Sequence, residues 1–154
     1  VKVDEAGRAV AWQATAANFL QDVNPKPAVV LQALQGALYD SDPFVRLYAA
    51  NAIGPSDVTA SIATAILRHP DPRARWLATL ALVEFAPNRI DTVSALSEAL
   101  RDEDRRTRAG AATALGRIGS HAASAVPRLK LAAEDSDPTV QQAAREAIAQ
   151  IRTL

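Results

Sequence analysis

Cysteine and methionine are both absent from the 154 residues, and aromatic side chains make up only 5% of them. Without cysteine there is no disulfide, no thiolate nucleophile and no cysteine-ligated zinc, and the redox compartment stays open. The missing methionine, in a chain whose first residue is Val1, gives the expectation of a processed or excised piece of a longer product. An excess of one charge is lacking too. The 17 Lys and Arg balance the 17 Asp and Glu, so no global field draws in nucleic acid, an anionic membrane or an acidic substrate. No uninterrupted apolar run reaches the roughly 18 residues of a membrane span, and no basic-then-apolar start marks a signal peptide. Scarce aromatics, abundant alanine and the absence of alternating Val, Ile and Thr runs argue against a sheet. The expected fold class is all-α, in one domain.

What is present is repetition. "DSDPFVRLYAANAI" begins at Asp40 and "DSDPTVQQAAREAI" at Asp135, and two weaker copies stand between them. With Asp42, Asp71, Asp104 and Asp137 in register, the copies follow at intervals of 29, 33 and 33 residues. A second pattern lies upstream of each Asp: Leu34, Ala63, Leu96 and Leu129 share one column, and Leu38, Leu67, Leu100 and Ala133 another. Each unit therefore reads as an A helix ending near the Asp and a B helix beginning at it. An Asp oxygen can accept the unpaired N–H groups of a first helical turn, and Pro suits the first helical position. Gly54, Pro87 with Asn88, and Gly119 with Ser120 mark the turns that end the B helices. Units are expected over 28–54, 57–86, 89–119 and 121–154. In residues 1–27, Asp4 is expected to cap a helix running to about Gln21, with "NPKP" as a linker.

A helix pair repeated at a fixed period cannot bury its own apolar face and must stack on its neighbours, which defines a solenoid. The pattern D-P-x-V-R-x-x-A-A-x-A-L/I-G, clearest from Asp42 to Gly54 and from Asp104 to Gly119, resembles the HEAT repeat family. The likeness is to the short bacterial HEAT-like repeats, also found in phycobilisome lyase subunits, and it covers 28–154. It implies a right-handed α-solenoid of about four helix pairs plus an amino-terminal helix, with the B helices on the concave side. It also implies a ladder of Arg46, Arg75 and Arg108, each four residues after its Asp, bridging adjacent units. Exposed pairs of this kind contribute only about 0 to 1 kcal/mol each. In the last unit Gln141 replaces the ladder Arg and Arg145 replaces a small residue, as a polar terminal cap requires.

Chemistry is hard to find. His69, at an A-to-B turn, and His121, before the last A helix, have no His or Cys within four residues, so both are expected to be exposed and are assigned no role. The paired acids Asp40 with Asp42, Asp102 with Asp104, and Asp135 with Asp137 read as caps, since no calcium-loop pattern accompanies them. No phosphate loop, nucleophile elbow or zinc-protease motif occurs. The expectation is a non-enzyme with no cofactor and no metal.

The B helices carry the better signal. Counting the Asp as column one, columns three, six, ten and fourteen fall within about 80° of one another, opposite the core stripe of columns four, eight, eleven, twelve and fifteen. In the last two units these columns are mostly polar, including Arg106, Arg117, Thr139, Gln142 and Glu146. In the first two they hold Phe44, Leu47 and Asn51, then Arg73, Trp76 and Leu80. Large apolar groups there, with Trp beside Arg, have the composition of a binding hot spot. The expected site is thus Phe44, Leu47, Asn51, Arg73, Trp76, Leu80, Arg106 and Arg117, with Phe44, Leu47, Trp76 and Leu80 exposed for a protein or peptide partner. Against this, Trp12 and Phe19 of the first helix would cover the same side chains and make them core. The resemblance also implies two alternatives, a lyase-type subunit for tetrapyrrole attachment and, since HEAT-like folds include DNA-binding glycosylases, a weak nucleic-acid module. The interrupted basic cluster 101–108 disfavours the second.

Overall fold

Asp42 begins the first B helix from extended backbone, φ −79° and ψ 122°, and its Oδ1 accepts the N–H of Phe44 at 2.7 Å, with Pro43 where no N–H is needed. The arrangement recurs. Asp71 takes the N–H of Arg73 at 2.8 Å, Asp104 that of Thr107 at 3.1 Å and Asp137 that of Thr139 at 2.8 Å. Asp104 lacks a following Pro, and its carboxylate caps one residue further along. Replacing Asp42 by Ala is expected to cost about 1 kcal/mol by urea denaturation, and Asp42→Asn, which keeps an acceptor oxygen, much less.

The computed structural model describes residues 28–85 and 90–152. Among them are four helix pairs: α1 (Ala28–Ala37) with α2 (Pro43–Ile53), α3 (Asp57–Ile66) with α4 (Pro72–Phe85), α5 (Ile90–Ala99) with α6 (Arg105–Ile118), and α7 (Val126–Ala132) with α8 (Pro138–Arg152). No strand occurs among the described residues. Helix α2 is shortest of the B helices because Gly54, at φ 96°, turns the chain into a conformation that side-chain-bearing residues avoid. Ser56 and Thr59 then start α3 as a reciprocal capping box, with Ser56 N–H to Thr59 Oγ1 at 2.9 Å and Thr59 N–H to Ser56 Oγ at 3.2 Å. Before α7 the expected loop is a 3-10 helix, Gly119–Ala125, whose Ala122 and Ala125 are buried. The amino-terminal helix expected from Asp4 lies outside the described residues, as do Trp12 and Phe19.

The core is the stripe that the period demands. Val45, Ala49 and Ala52 of α2, Ala74, Ala78 and Leu82 of α4, Ala111, Ala114 and Leu115 of α6, and Val140, Ala144 and Ala147 of α8 are all buried. They face Leu34, Ala63, Leu96 and Leu129 of the A helices. Thr107, the one polar residue in its column, donates from Oγ1 to Asp104 and lies 3.4 Å from the Pro72 carbonyl of the preceding unit. Successive B helices pack along one another while successive A helices barely meet. Helices α2, α4, α6 and α8 therefore form one closely packed face, called the inner face below, and the A helices form the outer one.

Candidate functional site

Arginine rungs set the spacing of the units. Arg75 grips Asp102 of the next unit with both Nε and Nη2 at 2.8 Å, while its Nη1 donates to the carbonyls of His69 and Pro70 at 2.9 and 3.0 Å. Arg108 repeats this on Asp135 at 2.8 and 2.9 Å, with Nη1 on the carbonyls of Asp102 and Glu103. Each gripped Asp also accepts the N–H of the capping Asp two residues on, at 2.8 and 2.9 Å. Both acids at these turns are thus engaged, one in the cap and one in the rung. Among the described residues no group of three His, Asp or Glu side chains is placed to hold a metal ion. The rungs are not the exposed pairs expected, because the Arg75 and Asp102 side chains are only 7% and 11% exposed. In the last unit Gln141 keeps the half that bonds its own turn, Nε2 to the Asp135 carbonyl at 2.6 Å. Arg145 reaches the Ala133 carbonyl at 3.2 Å.

Hydrogen bonds from Arg108 hold the Asp135 carboxyl below the usual carboxylate range, against the opposing effect of burial. A carboxyl lowered by folding stabilises the native state above its unfolded pKa of about 4, and that contribution disappears as pH falls through the folded value. Asp135→Asn should accordingly be less stable than the parent at pH 7, and the gap between their denaturation midpoints should close in acid.

Small residues bring the inner helices together. A Cβ on Gly110 of α6 would lie 2.5 Å from Thr79 Oγ1 and 3.1 Å from Trp76 Cδ1 of α4, and one on Gly116 would lie 2.9 Å from the Ala147 Cα of α8. Gly110→Ala should lower stability by about 1 kcal/mol, overpacking outweighing the gain in helix propensity. Chemical denaturation checks it.

Between α2 and α4 the spacing leaves a groove of about 250 Å³, lined by Leu47, Tyr48, Asn51, Leu77, Leu80, Ala81, Glu84 and, from α6, Arg117. Four of the sequence-selected residues, Leu47, Asn51, Leu80 and Arg117, meet there. Arg117 donates to Glu84 at 2.6 Å across α4 and α6. Phe44 and Arg73 form a second contact near the starts of the same helices, the guanidinium carbon 5.9 Å from the ring centroid. Trp76 is 36% exposed and lies over Gly110. Arg106 is exposed on α6, outside the groove.

Four expectations need correction. Arg46 was expected to bridge adjacent units as Arg75 and Arg108 do, but it bonds the carbonyls of Asp40 and Ser41 in its own turn. Leu47 was expected to be exposed and is buried, at 5%. Column six is turned toward the next inner helix, as Trp76 over Gly110 demonstrates from the same column one unit on. Phe44 is half-buried against the core, and Leu80 is half-buried too, rather than fully displayed. His69 is not a free loop residue either, since its Nδ1 accepts the Asp71 N–H at 3.1 Å. Tyr48, Leu77, Ala81 and Glu84 were not selected. Column seven, which holds Tyr48 and Leu77, sits about 20° from column fourteen at 100° per residue, and that angle was the available signal.

Stacked antiparallel helix pairs, inner helices in close contact and a ladder joining successive turns define an α-solenoid. The model of HEAT repeats matches residues 59–149, and the chain belongs to that family. No curated protein matches it. Among solved structures it is similar to an engineered protein whose crystal structure was determined by the Northeast Structural Genomics Consortium. The TM-score is 0.61 at 23% identity, over 92% of this chain and 74% of that one, a likeness of fold. HEAT repeats commonly mediate protein–protein interaction and are typically non-catalytic scaffolds. No described helix is long and apolar enough to cross a membrane.

Proposed function

We propose that the chain is a non-catalytic interaction module that receives a peptide or helix of a partner protein along its inner face, in the groove between α2 and α4. One observation carries the reading. Among the described residues the large apolar side chains of the inner face gather at this joint, where Tyr48, Leu77 and Leu80 are half-buried and Trp76 stands beside them, while in the columns of Trp76 and Leu80 the later helices α6 and α8 place exposed Thr113, Gln142 and Glu146. Apolar side chains left half-covered gain most from a partner that completes their burial. A phosphate-tracking role fits less well, because Arg105 and Arg117 are paired with Asp137 and Glu84.

Affinity capture tests the reading. Wild-type protein should enrich a partner that both Leu80→Glu and Trp76→Ala lose, while Ser94→Glu on the outer helix α5 retains it. Equal recovery by all four would remove the groove from the interaction.

A further inference from the structure

The ladder has a rung that lacks its acid. Arg46 is held like Arg75 and Arg108, with Nη1 donating to the carbonyls of Asp40 and Ser41 at 2.6 and 3.0 Å. In the other two rungs the remaining edge, Nε with Nη2, closes on an aspartate of the following unit. For Arg46 that edge has no acceptor among the described residues, because the aspartate's place at the next turn belongs to His69. The imidazole does half of the aspartate's work: its Nδ1 accepts the Asp71 N–H at 3.1 Å, as Asp102 accepts that of Asp104. A nitrogen that accepts a backbone N–H carries no proton, so the neutral ring bears its hydrogen on Nε2. With Nδ1 engaged in that way, the imidazole offers the Arg46 edge no acceptor. Helix α2 is also about a turn shorter than α4 or α6, and it packs less extensively on α4 than α4 does on α6.

We infer that the Arg46–His69 joint is a receptor for a carboxylate supplied from outside the chain, taken bidentately by Arg46 Nε and Nη2 in the manner of Asp102 on Arg75. The planar guanidinium edge matches a carboxylate, and its own turn already fixes its orientation. The site stands apart from the α2–α4 groove, so its fate does not depend on that reading.

The Arg46 Nε–H resonance, assigned by its loss in Arg46→Gln, reports occupancy in solution. Three probes at constant ionic strength distinguish the sources: acetate for the bare group, N-acetylglutamate amide for a side-chain carboxylate and N-acetylalanine for a chain terminus. In the wild type at least one should give a saturable shift that chloride does not. His69→Asp supplies the missing acid internally. It should raise the denaturation midpoint and abolish the titration, with the Arg46 resonance already displaced. A response to all three probes equal to that of chloride, or identical titrations in wild type and His69→Asp, would overturn the inference.

Discussion

Arg75→Ala should lower the unfolding free energy by about 3 kcal/mol, near the lower bound for breaking a buried ion pair. The side chain makes five hydrogen bonds, two to the Asp102 carboxylate, one to Glu103 and two to helix-end carbonyls. Glu103 is 86% exposed and contributes little. Most of the loss comes from Asp102, left nearly buried without its counter-charge, and from two carbonyls deprived of a donor. Arg75→Lys should recover only part, because an ammonium cannot serve the carboxylate edge and both carbonyls at once. Arg46→Ala removes a residue with no carboxylate partner and should cost no more than about 1 kcal/mol. In a solenoid, stability sums nearest-neighbour interfaces, so loss of the Arg75–Asp102 rung should also broaden the urea transition as the second and third units uncouple. A change below about 1 kcal/mol for Arg75→Ala would place the rung with ordinary surface pairs.

Trp76→Ala should weaken binding of the captured partner by about 2 kcal/mol, roughly 30-fold. The indole is partly covered by α6, where it lies over Gly110, and the rest of it is open beside the groove. That support fixes the ring in place before a partner arrives, which reduces the ordering cost of binding. The same contact means that truncation affects the fold as well, by about 1 to 2 kcal/mol, less than the roughly 3 to 5 of a fully buried aromatic. Calorimetric titration and denaturation on the same variant separate the two quantities.

Much of this architecture is written in local chemistry. Capping by Asp42, Asp71, Asp104 and Asp137 and the alanine-rich stripe each follow from a residue type at a definite offset, the Arg75 and Arg108 rungs were implied by the resemblance to HEAT repeats, and the structure contains all of them. The inner face was less legible. A helical wheel gives the direction of a side chain but not the distance to the neighbouring helix, and that distance decided the burial of Leu47. Between α4, α6 and α8 such distances depend on small residues paired across units, Gly110 with Thr79 and Gly116 with Ala147. His69 was opaque for a related reason: its role comes from standing where three other units have an aspartate, not from metal or catalytic partners in its vicinity. The selection of Trp76 and Leu80 rested on contrast between units, a signal that a single helix does not contain.

Photo-cross-linking from the inner face in the native cell tests the interaction reading most directly, using a benzoylphenylalanine at position 80 and another at position 94 on the outer helix. The account predicts a defined protein adduct from position 80 that Trp76→Ala suppresses, and none from position 94. Adducts from position 94 alone would contradict it and move the binding surface to the outer side of the solenoid.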